Sequence, residues 1–268
     1  MGPPLRRLAE RLSRGVLLRR RLPREFQRLP LYVTPEAGLR HWAGLGGVDR
    51  HLLHMARELV HPGAVVWDVG ANVGLFAFSA AARAGPSGMV VAIEPDVWLA
   101  HLMDRSSREI NREKILAAPV RVLCASISAE LRVSELEIAE RARAANHLAG
   151  ISGSTQTGGF RHRQPTLSVP LDSLLDFFPA PTVLKIDVEA HEVEVLRGAV
   201  RLIDSARPVI WCEVDPKNAE EVSNLLHEKN YQLFGAASVP HPPIARAWWN
   251  TLAIPTQNAA RTKISGKA

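Results

Sequence analysis

Short apolar runs alternate with longer helical patterns through most of the chain. An apolar, β-branched run at 64–69 precedes a small, apolar segment of helical length at 73–84, and an apolar run at 89–93 precedes an amphipathic pattern at 97–112. Such runs are typical of strands that are buried on both faces and joined by crossover helices. The pattern therefore predicts an α/β fold with a doubly wound, mostly parallel sheet. Further strands are predicted at 120–125, 183–186, 209–214, 231–234 and 248–254.

Three segments depart from this alternation. A helical pattern covers 48–59, after a stretch at 22–38 that prolines interrupt. Residues 131–138 alternate apolar with polar side chains, which predicts a half-exposed strand. The polar, Gly/Ser/Thr-rich stretch at 149–164 predicts a long loop, and loops of that length inside a domain are usually functional or mobile.

The composition is that of a soluble globular protein. Of 268 residues, 46 % are hydrophobic and 22 % are charged. No uninterrupted apolar run reaches the roughly 18 residues of a membrane-spanning helix. Cys124 and Cys212 each lie in an apolar run that predicts a buried strand. Two buried thiols without a disulfide framework indicate a reducing, cytoplasmic setting.

Positive charge is concentrated near the start of the sequence. Residues 1–28 contain nine arginines and two glutamates, which gives +7, so the other 240 residues sum to −1 against a total of +6. Nucleic-acid-binding domains carry their basic residues on the folded surface that contacts the phosphates. The near-neutral charge of the other 240 residues therefore argues against nucleic-acid binding. An amphipathic helix is predicted here, which either lies on an anionic membrane surface or docks its leucines on the body. Its apolar face would consist of Leu5, Leu8, Leu12 and Val16.

These patterns divide the chain into four parts. We expect a basic amphipathic extension at 1–28, a helical N-terminal segment at 29–62, the α/β domain at 63–258 and a flexible tail at 259–268. No signal peptide is evident, because the apolar run between the arginines at 14 and 19 is only three residues long.

A glycine-containing turn, Gly70 to Gly74, follows the first strand of the α/β domain. Glycine permits positive φ and close backbone approach, and Asn72 in the middle tolerates the left-handed region, so the turn can hold a ligand against bare backbone. Asp68 would repel the diphosphate of a dinucleotide, which favours a cationic ligand. Glu94, after the second strand, stands where an acid binds both ribose hydroxyls.

These residues together indicate a nucleoside that carries positive charge. S-adenosylmethionine, with its sulfonium and amino groups, is the common one. The alternative is a tight strand-to-helix turn that holds no ligand.

Six motifs follow one another between Asp68 and Pro255. They are Asp68-Val-Gly-Ala-Asn-Val-Gly74, Glu94-Pro95, Leu184-Lys-Ile-Asp-Val-Glu-Ala-His-Glu192, Val195-Leu-Arg-Gly-Ala199, Pro208-Val-Ile-Trp-Cys-Glu213 and Asn250-Thr-Leu-Ala-Ile-Pro255. In these motifs the chain resembles the FkbM-type S-adenosylmethionine-dependent methyltransferases. The resemblance implies a class I, Rossmann-like methyltransferase domain over 63–258, with a seven-stranded sheet whose last strand is antiparallel. It also implies methyl transfer, mostly to hydroxyl groups of small molecules, sugars or glycolipids.

The same resemblance implies which residues bind the cofactor. Ser126, just past the third strand, would lie near the adenine. Ala190 stands where the family usually has glycine, a change that could alter the first helical turn after Asp187. The candidate cofactor-binding residues are Asp68, Gly70, Ala71, Asn72, Gly74, Glu94, Pro95 and Ser126.

An acidic block after the strand at 183–186 carries the candidate chemistry. Asp187 ends that strand, where an acceptor would lie beside the cofactor, and could orient or deprotonate a hydroxyl. His191, at a helix N-terminus that disfavours imidazolium, could accept that proton or only cap the helix. Glu213 ends the next strand on the same sheet edge and could line the acceptor pocket.

Neighbouring acids have simpler explanations. Glu189 and Glu192 complement the dipole of one helix that opens after Asp187. A divalent ion held by Asp187, Glu213 and Asp215 is conceivable, but nothing in the sequence requires it, and no metal ligands are assigned. The apolar stripe predicted for that helix is Val193, Leu196, Val200 and Ile203.

The sequence favours an S-adenosylmethionine-dependent O-methyltransferase whose acceptor is a sugar, a glycolipid or a small natural product. Three alternatives stay open. They are an RNA or protein methyltransferase guided by the arginine-rich segment, a nicotinamide-dependent oxidoreductase, which Asp68 and the glycine spacing disfavour, and a non-catalytic nucleoside-binding module. The expected partner is a small-molecule or glycan acceptor, whose site the variable segments 22–60 and 139–165 would shape.

Overall fold

The structure is a computed structural model that describes residues 12–45, 49–140, 142–150 and 159–256. Within these residues the strands are β1 (Leu18–Arg21), β2 (Pro30–Val33), β3 (Val65–Val69), β4 (Met89–Ile93), β5 (Val120–Leu123), β6 (Ser126–Ile127), β7 (Arg132–Ala139), β8 (His147–Leu148), β9 (Phe160–Val169), β10 (Val183–Ile186), β11 (Val209–Cys212), β12 (Tyr231–Gly235) and β13 (Thr251–Pro255). The α-helices are α1 (Arg50–Leu59), α2 (Leu75–Ala84), α3 (Val97–Arg112), α4 (Leu171–Leu174), α5 (Glu192–Arg197), α6 (Val200–Ala206) and α7 (Ala219–Glu228).

A seven-stranded sheet in the order β12-β13-β11-β10-β3-β4-β5 forms the centre of the fold. Adjacent strands from β11 to β5 are parallel, and β13 runs antiparallel to both β11 and β12. This is the class I methyltransferase-like α/β sheet that the sequence predicts.

Helices cover both faces of this sheet. Successive residues of a strand point to opposite faces, so Val66 packs into a core with α1, α2 and α3, whereas Trp67 packs into a core with α4, α5, α6 and α7. The doubly wound arrangement is therefore confirmed.

The N-terminal segment forms a hairpin just after the predicted amphipathic face, which ends at Val16. β1 pairs antiparallel with β2, and Leu22, Phe26 and Leu29 between and beside them are buried in the first core. Of the segment 29–62, which was expected to be helical, α1 matches and β2 does not. The residues before 12, including Leu5 and Leu8 of the predicted amphipathic face, lie outside the described residues, as does the tail at 259–268.

Arginines of the hairpin form ion pairs with α3. Arg19 contacts Glu109 at 3.0 Å and also contacts Glu113, and Arg21 contacts Glu113 at 2.9 Å. Such partly exposed pairs each contribute about 0.2–1 kcal/mol. Part of the basic segment therefore packs against acids of the body.

A second sheet in the order β6-β9-β7-β8 follows β5. β7 confirms the half-exposed strand predicted at 131–138. β9 begins at Phe160, so residues 160–164 are strand where the polar composition predicts a loop. The expectation was wrong there because Arg163 is a cross-strand partner of Glu137, which its side chain contacts at 2.9 Å. Residues 151–158 of the expected loop lie outside the described part of the chain.

The helix predicted after Asp187 is two short helices. α6 begins anew at Val200, because the Asp172 carboxylate accepts hydrogen bonds from the amides of Arg201 and Leu202, both at 2.8 Å. Val200, expected in the apolar stripe, is 45 % exposed.

The two cysteines differ in burial. Cys212 lies in β11 and is buried, as predicted. Cys124 is exposed, because β5 is the last strand of its sheet and ends one residue earlier. In the part of the chain that the structure describes, every helix is too short or too polar to cross a membrane.

Candidate active site

Four residues meet at one edge of the main sheet because each follows the carboxyl end of a parallel strand. Gly70 follows β3, Glu94 follows β4, Asp187 follows β10 and Glu213 follows β11. The strand order places them side by side, and ligands of open α/β sheets bind at this edge.

Two adjoining cavities open at this edge. We name them by one lining residue each: the Glu94 cavity has about 700 Å³ of empty space and the Glu213 cavity has about 1550 Å³, in both cases partly open to solvent. The residues that line both cavities are Gly70, Asn72, Ala144, Asp187 and Glu189.

The candidate cofactor-binding residues are divided between these cavities and the interior. The Glu94 cavity is lined by Gly70, Asn72, Glu94, Pro95 and Ser126. Ala71 lines the Glu213 cavity, Gly74 is the N-cap of α2, and Asp68 is fully buried in β3.

Gly70 is required by the neighbouring strand. Its φ is +75°, and a Cβ at this position would overlap the carbonyl oxygen of Asp187 and lie 2.9 Å from the carbonyl carbon. The close approach is therefore to the backbone after β10, whereas the sequence suggested an approach to a ligand. A side chain here would force β3 and β10 apart before it could affect binding.

Glu94 ties the glycine turn to the start of α3. Its Oε2 accepts from the Asn72 amide at 2.8 Å and its Oε1 from the Asp96 amide at 2.9 Å. Burial raises the pKa of Glu94 to about 7. Each carboxylate oxygen keeps a second lone pair for a ligand hydroxyl. Asn72 has φ +55°, in the left-handed region that the sequence predicts, and its Oδ1 is buried without a hydrogen-bond partner among the described residues.

Lys185 is a buried cation that sequence reasoning did not assign. Its Nζ lies 3.0 Å from Oδ1 of Asp68, 3.2 Å from Oδ2 of Asp187 and 3.2 Å from the Gly70 carbonyl oxygen. Burial disfavours the ammonium, but the two carboxylates outweigh it and raise the pKa of Lys185 above its ordinary value. The cation that pairs with Asp68 is therefore a side chain of the protein itself, Lys185. The available signal was a lysine inside an otherwise apolar strand.

Glu213 is mostly protonated near pH 7, whereas Glu189 is about half protonated. Burial, and then the Asp187 carboxylate, raise the pKa of Glu213 to about 8 and that of Glu189 to about 7. Both line the Glu213 cavity. A carboxyl group with a pKa close to the working pH is suited to take a proton from a bound hydroxyl.

His191 lies on the side of the Glu94 cavity. Its Nε2 is 3.4 Å from the Ser128 hydroxyl, and burial lowers the pKa of its imidazole, so the ring is neutral near pH 7. This placement separates it from Glu213, which lines the other cavity.

Glu192 lies in the first turn of α5, where the sequence predicts that it complements the helix dipole, and its side chain is buried. It is 2 % exposed and accepts a hydrogen bond from the Asn218 side chain at 2.6 Å. Burial raises the pKa of Glu192 to about 7.

Ala190 adopts a backbone conformation that favours glycine. Its φ is +59°, in the left-handed region, where an L-residue with a Cβ is strained. The departure from the family's glycine therefore occurs at a position where glycine would relieve strain.

Residues 142–148 form one segment that borders both cavities. Its Arg143 contacts Asp96 at 2.5 Å and Glu36 at 3.3 Å, and Asn146 donates to Asp96 at 2.8 Å. These partners lie 47, 107 and 50 residues away along the chain. No local pattern could have indicated this arrangement.

Within the described ranges, no group of three or more His, Cys, Asp or Glu side chains is arranged to hold a metal ion. The carboxylate of Asp187 forms an ion pair with Lys185, whose positive charge also lowers the pKa of Glu213 against the effect of burial.

Known proteins resemble this chain in sequence. The model of the FkbM methyltransferase domain matches residues 68–233. The hexuronic acid methyltransferase AglP of Haloferax volcanii is 30 % identical over 195 residues, which cover 71 % of each chain.

Solved structures resemble it more distantly. The methyltransferase FkbM from Methylobacillus flagellatus has 15 % identity and a TM-score of 0.47, and the match covers 75 % of this chain but only 50 % of that one. An S-adenosylmethionine-dependent O-methyltransferase from Thermotoga maritima has 13 % identity and a TM-score of 0.42, with 84 % of this chain and 72 % of that one covered.

Proposed function

The chain belongs to the FkbM methyltransferase family, and on that basis we propose that it transfers the methyl group of S-adenosylmethionine to a hydroxyl group of a sugar or a sugar-containing small molecule. The matched family domain covers more than half of the chain and makes it a methyltransferase. The name of the relative AglP, a hexuronic acid methyltransferase, supports the choice of a sugar acceptor.

The residues of the Glu94 cavity fit a nucleoside cofactor. Glu94 offers two carboxylate oxygens to the ribose hydroxyls, and the buried, unpartnered Oδ1 of Asn72 offers a further acceptor. Ser126 and Pro95 line the same cavity, in the place proposed for the base. When bound, S-adenosylmethionine supplies a methyl group on a positively charged sulfur, open to attack by an oxygen nucleophile.

The observation that carries the proposal is the junction of the two cavities. Asp187 and Glu189 line both of them, so an acceptor in the Glu213 cavity would lie directly beside a cofactor in the Glu94 cavity. Alignment and proximity of this kind supply much of the rate enhancement of a displacement reaction.

Asp187 and Glu213 have different roles in this proposal. Lys185 holds the Asp187 carboxylate at a fixed position, where it can orient the acceptor hydroxyl. Glu213, with a pKa of about 8, is the proton acceptor in this proposal, since its ionised form is a stronger base than an ordinary carboxylate. His191 borders the Glu94 cavity and not the Glu213 cavity, so this proposal assigns no proton transfer to it.

The test is transfer of a labelled methyl group. Purified protein is incubated with S-adenosyl-[methyl-³H]methionine and separate panels of free sugars, hexuronic acid oligosaccharides, RNA and protein, and the labelled position is then located by NMR. We expect label on a sugar hydroxyl, and its loss in Glu94→Ala. Label on RNA or protein alone, or on no panel, would contradict the proposal.

A further inference from the structure

Three of the six tryptophans are exposed. Trp42, Trp248 and Trp249 are 46, 58 and 55 % exposed, whereas Trp67 and Trp211 are fully buried. Leaving large aromatic surface in water forfeits hydrophobic free energy. Two adjacent exposed tryptophans therefore mark a binding surface more often than a random surface position.

Trp248 and Trp249 lie at the edge of the sheet that carries the active site. β13 runs antiparallel to β11 with Thr251 opposite Cys212, so the residues just before Thr251 lie where Glu213 follows β11. The amide of Val214, the residue after Glu213, donates to the carbonyl of Trp249 at 3.2 Å. The two tryptophans are thus joined to the wall of the Glu213 cavity.

The backbone beneath these side chains is held in place. The hydroxyl of the buried Thr251 accepts from the Trp248 amide and donates to the Trp248 carbonyl, both at 2.8 Å. The amide of Ala247 donates to the Ser223 hydroxyl at 2.7 Å. A platform that is already ordered loses little conformational entropy when a ligand binds.

We propose that Trp248 and Trp249 form a stacking platform for a second sugar unit of the acceptor, next to the unit whose hydroxyl enters the Glu213 cavity. The inference rests on the proposed function. Pyranose rings present C–H groups on one face, and the electron-rich face of an indole ring attracts such groups. The acceptor is then a chain of two or more sugars, and a free monosaccharide would use only part of the site.

Trp42, the third exposed tryptophan, follows His41, which lines the Glu213 cavity. Its Nε1 donates to the Ser13 hydroxyl at 3.1 Å, and 46 % of the residue is exposed.

The test compares chain lengths with defined probes. Galacturonic acid and tetragalacturonic acid are measured against the full chain with S-adenosylhomocysteine, by saturation-transfer NMR and tryptophan fluorescence for binding, and with S-adenosylmethionine for kcat/KM. The variants are Trp248→Ala and Trp249→Ala. The matched control is Phe177→Ala, an exposed aromatic residue (77 %) in the segment between α4 and β10.

We expect the native protein to prefer the tetrasaccharide by about threefold to tenfold, as one aromatic contact would give. Each tryptophan variant should lower that ratio toward one, and Phe177→Ala should keep it. Affinity for S-adenosylhomocysteine verifies that each variant is folded.

The outcomes separate this inference from the proposed function. Binding of the tetrasaccharide on the tryptophans without methyl transfer would refute the acceptor in the proposed function but keep the platform. Equal binding of both probes by the native protein, absence of tetrasaccharide binding, or an unchanged ratio in both tryptophan variants would overturn the platform.

Discussion

Replacing Lys185 with methionine should destabilise the protein severely. The substitution keeps the length of the side chain but removes the cation, so the fully buried Asp68 loses its ion-pair partner. Removing one partner of a buried pair costs about 3–5 kcal/mol. That is a large part of the roughly 5–15 kcal/mol that stabilises a typical domain. Urea unfolding followed by circular dichroism should show a lower midpoint with an unchanged slope.

The pH dependence of this loss has a definite sign. In the folded state burial already raises the pKa of Asp68 above its ordinary value of 3.8, and loss of the Lys185 cation would raise this pKa further. The folded protein then binds a proton that the unfolded chain has released, so stability falls by about 1.4 kcal/mol per pH unit as pH rises between the two pKa values. Lys185→Met should therefore be less destabilised at pH 5 than at pH 8.

Two further variants make this prediction refutable. Lys185→Met combined with Asp68→Asn removes both charges, and we expect it to recover much of the stability and lose the pH dependence. Lys217→Met, at an exposed lysine, should change stability by no more than about 0.5 kcal/mol. If the free energy of unfolding of Lys185→Met lies within about 1 kcal/mol of the native value at both pH values, the buried pair contributes less to stability than we assign to it.

Three other substitutions test the site. Glu94→Ala should weaken S-adenosylmethionine binding about tenfold to a hundredfold, since a charge-assisted hydrogen bond contributes roughly 1.5–3 kcal/mol; unchanged affinity by calorimetry would remove Glu94 from the cofactor site. Glu213→Gln should lower turnover by about 10²–10⁴. Native kcat/KM should rise with pH through about 8, as the unprotonated base accumulates, and a pH-independent native profile would argue against this base. Ala190→Gly should stabilise the fold by up to about 1 kcal/mol, measured by urea unfolding, and destabilisation would contradict the strain at φ +59°.

Elements with strong local patterns could be predicted from the sequence. The bounds of α3 and β10 agree with the predicted 97–112 and 183–186, because apolar residues recur there with one clear period. β1 could not be predicted, since its run of three arginines has no strand pattern. Its arginines are stabilised by acids such as Glu113, which lies 92 residues from Arg21.

The same distinction applies to the site. Glu94, Asp187 and Glu213 could be placed at one sheet edge, because every parallel strand of such a fold ends there. The pairing of Lys185 with Asp68 depends on the register of β10 against β3, where the two residues are direct partners. The contacts of Arg143 likewise depend on chain segments that meet only after folding.

The contact between Gly70 and the Asp187 carbonyl has an evolutionary consequence. Because no Cβ fits beside that carbonyl, position 70 must remain glycine as long as the backbone after β10 keeps its path, whichever side chain stands at position 187. Relatives with new acceptors should therefore keep this glycine and vary the segments that border the Glu213 cavity from outside the sheet, such as residues 35–41 and 142–144. Selection on acceptor choice would then leave the geometry of methyl transfer intact.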